Sequence, residues 1–452
     1  MKSFFIIFFY LSITSCSFDN KTGIWKDASN FPVEKEDVIS IDQNNKSNRY
    51  EDIFIKTKLF NEEKKSRDNS VLKLALPIKI ENWTEKYASL TNNISNFFYE
   101  ENRILLSKSS KLSKTSLNKD ILFYKNNLIT YDDKGKIFIY SLNLKKKIYE
   151  YNFYKKKFKN VEKEIHLVVS DNILYAADNL GYLYAINMEK KSLLWAKNYG
   201  IPFRSNLKII NEQIFLANQD NVIYSIDVKN GGKNWQFATG RTFLKSDFYN
   251  NFALDEVNKS LFFLNTSGEL YSINYVSQKI QWILNFKNAS FGGNGDLFLS
   301  HPIVIKNNNL IISTEKALLN YDLISGEKNW SFPSNSTLKP IATNNYIYML
   351  SKKNFLICVD NKSGKILWSR NIFNNQKVEK ISKKIGKFYD LKIVNGMLNV
   401  FSNNGYLLSF NHRNGNLNFV KKISKNGISS EIFFLKGNMF LVDNNKKLLK
   451  YN

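Results

Sequence analysis

Histidines and acidic side chains are the groups through which this 452-residue chain could hold a metal ion or transfer a proton. Its three histidines, His166, His301 and His412, are too far apart in the sequence to have the spacing of a metal-binding motif. The acidic pair Glu162 and Glu164 lies in a polar stretch and is predicted to be solvated. No GxSxG, HExxH or P-loop pattern occurs. We therefore predict no catalytic residue, no metal site and no cofactor site.

Cysteine is the remaining residue type with reactive chemistry, and it occurs only at Cys16 and Cys358. Cys358 lies in the apolar sequence LICVD and is predicted to be a small buried residue. Cys16 follows Ile-Thr-Ser, and this short sequence resembles the bacterial lipobox, a motif whose cysteine is lipidated after cleavage. Because small residues must precede that cysteine and do so here, we predict lipidation of Cys16. The mature chain would then have no internal disulfide.

Residues 1–15 have the layout of a lipoprotein signal peptide, with one lysine, an apolar run over residues 4–13, and small residues before Cys16. The apolar run is shorter than the roughly 20 residues that a membrane-spanning helix needs. Acyl chains on Cys16 would anchor the chain, and Ser17 is not the aspartate that often retains lipoproteins at the inner membrane. We predict a location at the outer membrane of a Gram-negative bacterium, facing the periplasm. An ordinary signal peptide with an incidental cysteine is the alternative.

The formal net charge of +25 would fit binding to nucleic acid or to an anionic membrane. The lysines, however, are scattered together with asparagines rather than clustered, and a signal peptide separates the protein from nucleic acid. We interpret the charge as the codon bias of an AT-rich genome, and attraction to an acidic partner or to anionic lipid is the alternative. Neither nucleic acid nor a small-molecule substrate is a predicted partner.

Polarity divides the chain into segments. Residues 16–70 are rich in Asn, Lys, Asp, Glu and Ser, and we predict that they form a lipidated, disordered tether. Residues 71–101 are more apolar and are predicted to be an extended lead-in segment. The repeats lie in residues 102–452, which form the predicted folded domain.

A sequence phrase recurs along residues 102–452: an apolar strand, an Asp or Asn, a turn, and a strand that ends on Trp. Including weaker copies, the Asp or Asn position recurs every 38 to 51 residues, at Asn143, Asn187, Asp227, Asn274, Asp322, Asp360, Asn411 and Asn452. A period of this length, built of strands with no helical pattern between them, is typical of a β-propeller. We predict an all-β, eight-bladed β-propeller of four-stranded antiparallel blades.

The five clearest copies of the phrase end on a tryptophan, at Trp195, Trp235, Trp282, Trp330 and Trp368. Each is predicted to dock against the neighbouring blade rather than to bind a ligand. The last unit, residues 432–452, ends before its outermost strand, and an open sheet edge invites unwanted pairing. We predict that residues 102–111 supply the missing strand, with residues 104–106 in its place, and so close the ring.

This repeat resembles the tryptophan-docking repeat of the pyrroloquinoline-quinone (PQQ)-like eight-bladed propellers over almost all of residues 102–452. Within that group, the quinoprotein dehydrogenases bind the quinone and Ca²⁺ and carry an adjacent cysteine pair, which this chain lacks. The lipobox, polar tether and closing strand make the chain more similar to the BamB family of outer-membrane β-barrel assembly lipoproteins, which are not known as enzymes.

The resemblance implies a scaffold that binds the periplasmic POTRA domains of BamA, the core assembly protein, and assists insertion of nascent outer-membrane proteins. The family contacts its partner through an apolar-x-apolar-Arg loop and an Asp-x-Asp loop. Phe203 and Arg204 match the first pattern, with Ile201 as a displaced first apolar residue. Asp247 matches one acid of the second loop, whose other position is Tyr249, so the acidic half departs from the family. Alternatively, Phe203 begins a buried strand and Arg204 is solvated.

Two other functions are compatible with the sequence. A propeller lipoprotein could bind a different envelope protein or a polysaccharide, because a fold alone does not define a function. A divergent PQQ-dependent dehydrogenase is the more remote alternative.

Overall fold

The computed structural model describes residues 17–18, 25–26, 59–66, 72–118, 120–154, 158, 160–240, 251–286 and 298–452. The chain divides into two units, Met1–Ile55 and Lys56–Asn452. In the first unit, the described residues form two short antiparallel strands, β1 (Ser17–Phe18) and β2 (Trp25–Lys26). Within the described ranges, no helix has the length and apolar character needed to cross a membrane.

Eight sheets of four antiparallel strands form a ring in the described part of the second unit, so the predicted eight-bladed propeller is confirmed. The first strand of this unit, β3 (Leu105–Lys111), belongs to the last sheet. We number the blades 1 to 8 in chain order. In each blade, the first strand named below is the innermost, at the ring axis, and the last is the outermost.

The strands of the first four blades follow one another in the sequence. Blade 1 contains β4 (Leu122–Tyr124), β5 (Asn127–Tyr131), β6 (Lys136–Ser141) and β7 (Lys146–Asn152). Blade 2 contains β8 (Ile165–Ser170), β9 (Ile173–Asp178), β10 (Tyr182–Asn187) and β11 (Ser192–Asn198). Blade 3 contains β12 (Lys208–Ile210), β13 (Gln213–Ala217), β14 (Val222–Asp227) and β15 (Lys233–Ala238). Blade 4 contains β16 (Asn251–Asp255), β17 (Ser260–Leu264), β18 (Glu269–Asn274) and β19 (Lys279–Asn285).

The remaining blades have the same order, apart from the origin of the last strand. Blade 5 contains β20 (Val304–Lys306), β21 (Asn309–Ser313), β22 (Leu318–Asp322) and β23 (Lys328–Phe332). Blade 6 contains β24 (Ile341–Ala342), β25 (Tyr346–Leu350), β26 (Phe355–Asp360) and β27 (Ile366–Asn371). A 3₁₀ helix (Ile372–Asn374), α1 (Gln376–Glu379) and α2 (Ser382–Ile385) follow it. Blade 7 contains β28 (Phe388–Val394), β29 (Met397–Ser402), β30 (Tyr406–Asn411) and β31 (Leu417–Lys422), and blade 8 contains β32 (Phe433–Leu435), β33 (Asn438–Val442), β34 (Lys447–Tyr451) and β3.

The two middle strands of each blade supply most of the apolar core. In β13 and β14, nearly every side chain is buried, because both faces of the blade pack against neighbouring blades. In β15, the outermost strand of the same blade, exposed and half-buried residues alternate. Burial on both faces explains why the repeats contain continuous apolar runs instead of strict alternation.

Strand β3 completes blade 8 as its outermost strand, as the truncated last unit predicts. It pairs antiparallel with β34, and Leu105 lies opposite Tyr451. The backbone N–H of Ile104 donates to the Asn452 carbonyl at 2.9 Å, and the Asn452 N–H donates to the Ile104 carbonyl at 3.1 Å. The predicted closure is therefore confirmed, and the strand extends beyond residues 104–106 as far as Lys111.

The docking tryptophans lie in the outermost strands and contact the following blade. Four of them donate the indole N–H to a backbone carbonyl there: Trp195 to Val228 at 3.1 Å, Trp282 to Leu323 at 3.3 Å, Trp330 to Asn361 at 2.8 Å and Trp368 to His412 at 3.0 Å. The indole of Trp235 makes no hydrogen bond among the described residues. The turn next to it, after β18, has no glycine, in contrast to the turns that meet the other four indoles.

Glycine is required where an indole lies on the turn of the next blade. Gly364 has a φ of +70°, and a Cβ added there would lie 2.7 Å from the Trp330 ring. A side chain at this position would therefore both strain the backbone and displace the indole. The Gly-Trp pairing in the sequence phrase is explained by this contact between blades.

We expect Gly364→Ala to destabilise the ring by about 2–4 kcal/mol, because backbone strain adds to overpacking against Trp330. Gly200→Ala is the control, since Gly200 also has a positive φ of +83° but a Cβ there would meet nothing within 4 Å. Its loss should be about 1–2 kcal/mol, from strain alone. Urea unfolding of both variants measures the difference, and equal losses would contradict the docking role of Trp330.

Candidate functional site

The loop predicted to contact a partner connects β11 of blade 2 to β12 of blade 3. Its backbone is fixed on the turn between β9 and β10: the Tyr199 N–H donates to the Gly181 carbonyl at 2.8 Å, and the Phe203 N–H donates to the Asp178 carbonyl at 3.1 Å. Gly181 has a φ of +87°, and a Cβ there would lie 2.9 Å from backbone atoms of Ile201. The close approach of two backbones thus determines the course of this loop.

The predicted contact residues of this loop differ in their exposure. Phe203 is fully buried and packs its ring against Tyr199 and Tyr224, at centroid distances of 5.5 and 6.1 Å. It is therefore not the exposed aromatic anchor that the family pattern suggests; the alternative, a buried residue, describes its position. Ile201 is half-buried at the surface of the loop.

Arg204 lies at the edge of the same loop and is only 9% exposed. Its Nη1 forms an ion pair with Glu164 Oε2 at 2.6 Å, which joins the entry of blade 3 to the residue preceding β8 of blade 2. Arg204 is therefore paired rather than simply solvated, and Glu164 is not an isolated surface acid. Asp247 and Cys16 lie outside the described residues.

The three histidines occupy separate structural positions. His412 Nε2 is 2.9 Å from the Leu72 carbonyl, and His301 Nε2 is 3.0 Å from the Ser336 carbonyl. His166 is buried in β8, and burial, reinforced by the positive charges of Lys86 and Arg204, lowers its pKa to about 3. These environments are typical of structural histidines and bring no two of the three together.

The lead-in segment, predicted to be extended, has a larger structural role than the sequence indicates: residues 72–101 cross the ring axis. Backbone hydrogen bonds join Trp83 to Phe123 in blade 1 and Phe97 to Ile393 in blade 7. The Asn92 side-chain amide donates to the carbonyls of Phe252 in blade 4 and Ile303 in blade 5. Further contacts to the other four blades come from Thr84, Ser89, Asn93 and Ile80. The segment therefore contacts all eight blades.

Aromatic packing fixes the ends of this crossing. The Trp83 ring is 98% buried, stacks on Phe97 at 5.8 Å and meets Phe433 of blade 8 edge-on at 5.1 Å. The residues between Trp83 and Phe97 include the polar run of residues 89–96, SLTNNISN. From sequence alone, a polar run of this kind predicts a surface loop. Here the surrounding blades bury much of it.

Charged side chains from the blades surround the crossing segment. Lys208 of β12 is fully buried, forms an ion pair with Glu85 at 2.5 Å, and donates to the Ser89 carbonyl at 2.7 Å. Lys339, before β24, donates to the Asn92 carbonyl at 2.8 Å. Burial and the nearby Lys392 lower the pKa of the Lys339 ammonium to about 8. These lysines pair with the Glu85 carboxylate and donate hydrogen bonds to backbone carbonyls that would otherwise be buried without partners.

A small cavity of about 100 Å³ lies beside the axis, among Trp83, Tyr87, Lys339, Asp390 and Glu431. Asp390 forms an ion pair with Lys392 at 2.9 Å. Burial raises the pKa of the Glu431 carboxyl to about 7, with Lys392 acting against this shift and Asp390 adding to it. The axis is therefore filled by the chain's own segment and by internally compensated charges.

The fold defines this chain as an eight-bladed β-propeller with a tryptophan-docking repeat. Over residues 141–370 it matches the family described as outer membrane protein assembly factor BamB, and it belongs to that family. Outer membrane protein assembly factor BamB of Moranella endobia (strain PCIT) is 20% identical over 271 residues, which are 55% of this chain and 64% of the relative. The match thus spans slightly less than two thirds of the relative's length.

Solved structures share the fold. The crystal structure of BamB from Moraxella catarrhalis superposes with a TM-score of 0.60 at 13% identity, covering 77% of this chain and 99% of that one. Quinohemoprotein alcohol dehydrogenase ADHIIG from Pseudomonas putida HK5 gives a TM-score of 0.58 at 10% identity, covering 82% and 80%. At these identities the likeness shows the fold alone, and BamB and the alcohol dehydrogenase are similarly close to this chain in shape.

The residues at the axis do not fit the quinone and cation of such dehydrogenases. In the described ranges, no group of three or more His, Cys, Asp or Glu side chains could hold a metal ion. The axial acids Asp390 and Glu431 face lysines, and the chain between Trp83 and Phe97 crosses the centre of the ring.

We expect Lys208→Met to destabilise the protein by about 3–5 kcal/mol, because it leaves the Glu85 carboxylate buried without its partner. The double variant Lys208→Met/Glu85→Gln should recover most of that loss, since no uncompensated charge remains. Urea unfolding of the two variants and of Glu85→Gln completes a double-mutant cycle. Equal stability of the single and double variants would show that the ion pair does not hold the crossing segment.

We expect the protein to lose stability as the pH rises from 4.5 to 7, through the Glu431 carboxyl. Its folded-state pKa of about 7 lies above the ordinary value of 4.5, so the folded protein keeps a proton that the unfolded chain releases in this window. The slope is at most about 1.4 kcal/mol per pH unit for one group. Glu431→Gln should flatten it and stabilise the protein at pH 8 by about 1–2 kcal/mol, whereas the exposed control Glu327→Gln should not. An unchanged slope in Glu431→Gln would contradict this assignment.

Proposed function

We propose that this chain is a non-enzymatic scaffold lipoprotein of outer-membrane β-barrel assembly, which binds the POTRA domains of the core assembly protein. The family match over residues 141–370 carries this proposal, because it includes the β11–β12 loop. The relatives' name, outer membrane protein assembly factor, states their role, and this chain shares their ring. The filled axis supports this role over that of a quinone-dependent dehydrogenase, which would need space there for its cofactor.

The proposed location follows from the N-terminal sequence. A thiol lipidated at Cys16 would hold the ring at the periplasmic face of the outer membrane, where nascent barrel proteins arrive. Residues 17–58 would then act as the tether between the membrane and the ring, because the next described residues pair with the blades: the Phe60 N–H donates to the Pro333 carbonyl at 2.8 Å and the Lys64 N–H to the Ser369 carbonyl at 3.1 Å. This arrangement needs no membrane-spanning helix.

We place the partner contact at the end of the ring that carries the connections between blades. The β9–β10 turn and the β11–β12 loop are both at this end, because alternate turns of an antiparallel blade lie at opposite ends. The half-buried Ile201 provides the apolar part of this surface, and the Arg204–Glu164 ion pair provides its polar part. Phe203 packs beneath the loop, and Asp247, outside the described residues, falls between β15 and β16 in the sequence.

We expect Ile201→Lys and Arg204→Glu to weaken capture of residues 17–452 by the POTRA domains of the same organism at least tenfold, because both alter the central part of this surface. Lys190→Glu is the control for Arg204→Glu, since Lys190 is exposed in the β10–β11 turn, at the opposite end of blade 2 from the β11–β12 loop. The measurement is a pull-down followed by a titration at low and high salt.

Two further variants separate a direct contact from a structural one. The charge-reversed pair Glu164→Lys/Arg204→Glu keeps an ion pair, so restored binding would mean that the pair only shapes the loop. Binding that stays weak would mean that the partner interacts directly with the positive charge of Arg204. Retained binding in every variant would keep the assembly role and contradict this surface. No binding by the unchanged protein at either salt concentration would contradict the assembly role and favour a different envelope partner.

A further inference from the structure

The seam between blades 8 and 1 lacks the aromatic residue that every other seam contains at the same register position. In blades 1 to 7, the third strand pairs one residue with an aromatic of the outermost strand, immediately before a β-bulge. The seven pairs are Ile139–Tyr149, Ala185–Trp195, Ser225–Trp235, Ser272–Trp282, Asn320–Trp330, Cys358–Trp368 and Ser409–Phe419. In blade 8 the corresponding pair, also next to a bulge, is Lys450–Ser107. A serine thus stands where an indole or another ring stands elsewhere.

An open slot lies at this position. It has a volume of about 140 Å³ and is lined by both blades and by Ser107 itself. Its apolar walls are Phe123, Tyr140, Leu142, Leu435, Phe440 and Leu448. Apolar cavities of roughly 150 Å³ accommodate a benzene ring in proteins. The slot is therefore large enough for one aromatic side chain.

The comparison with the Trp195 seam shows what the slot would hold. There the indole lies on the turn after β14 and donates to the Val228 carbonyl. The equivalent turn of blade 1 follows β6, and its residues Leu142 and Lys145 line the slot. The same wall is thus present at the closing seam, but β3 supplies no ring to cover it.

The rim of the slot is cationic. It is lined by Lys108, Lys145, Lys436 and Lys450, and Glu81 is the one acid that the described residues contribute. Lys108 is 3.4 Å from Asp443, and Lys436 is 3.9 Å from Glu81. Among the described residues, Lys145 and Lys450 have no carboxylate within ion-pair distance. An incoming group with negative charge would therefore gain two partners.

Exposed apolar residues also lie next to the slot, at the start of β3. Leu105 and Leu106 are 47% and 49% exposed, and the adjacent Ile104 is 61% exposed. Exposed apolar residues next to a cavity are typical of a surface that another molecule covers. The slot, its cationic rim and these residues form one surface, which we call the closing-seam surface.

We propose that the closing-seam surface binds a partner polypeptide through one aromatic side chain with acidic residues beside it. The ring of the partner enters the slot at the place of the missing docking aromatic, and its carboxylates meet Lys145 and Lys450. The surface lies at a different seam from the β11–β12 loop, so this site is additional to the proposed POTRA contact.

The test uses residues 17–452 and a fluorescein-labelled peptide with one central tryptophan between aspartates. Fluorescence anisotropy should give a dissociation constant at least tenfold lower than for the same peptide with alanine in place of tryptophan. Ser107→Trp should weaken binding at least tenfold, because the chain's own indole fills the slot. The same substitution should raise the melting temperature by several degrees, because it adds the docking contact that the seam lacks. Ser107→Ala is the control and should bind as the unchanged protein does.

A second pair of variants keeps the test decisive if Ser107→Trp does not fold. Lys450→Gln and Lys145→Gln should each weaken binding of the acidic peptide, and should leave binding of a peptide with glutamines in place of the aspartates unchanged. Equal affinity for the tryptophan and alanine peptides would overturn the proposal. Full binding by a folded Ser107→Trp protein, or by both lysine variants, would also overturn it.

Discussion

The pairing of β3 with β34 is the interaction on which the rest of the ring depends. It joins two segments far apart in sequence: the Leu448 N–H donates to the Ser109 hydroxyl, 339 residues away. Without it, β34 would be an unpaired edge, and the packing of blade 8 between blades 7 and 1 would lack its outer layer. Because every blade packs between two others, a ring of this kind is stable only when all eight seams are closed together.

The crossing segment imposes a second constraint, because it introduces polar backbone into the centre of the ring. Each of its buried groups needs a partner, and the innermost strands provide them through carbonyls, amides and lysines. The Asn92 amide shows the principle, since it reaches carbonyls in two different blades. The centre of the ring therefore has a structural role. The surfaces that can bind a partner are the connections between blades and the seams.

The repeat made the blades predictable from sequence, because the docking tryptophans and their turn glycines contact each other over one repeat length. Gly364 and Trp330, for example, belong to successive copies of the repeat and are in contact in the structure. The first blade was less clear: β6 pairs Ser141 with Asn127 as β14 pairs Asp227 with Gln213, so the equivalent of the repeat's Asp is Ser141 and not Asn143. The pairing register, rather than the residue type, identifies that position.

The candidate sites were less predictable, because they depend on contacts between distant residues. The sequence pattern at Phe203 and Arg204 cannot distinguish an exposed anchor from a buried residue; the difference comes from Tyr224 and Glu164, which lie in other strands and segments. The sequence also contains no indication that Ser107 occupies a docking position, since β3 is not part of any repeat. Only its pairing with Lys450 in the structure shows this.

The origin of β3 explains why the closing seam differs from the others. In blades 1 to 7 the outermost strand follows the third strand through a short turn, so one repeat supplies both the docking aromatic and the strand that carries it. Blade 8 takes its outermost strand from the other end of the folded unit, outside the repeat pattern, and this strand satisfies the hydrogen bonds of β34 without supplying the ring. Closure and docking are therefore separable at this seam alone among the described blades. A surface there can change its occupant while the backbone pairing that holds the propeller together remains intact.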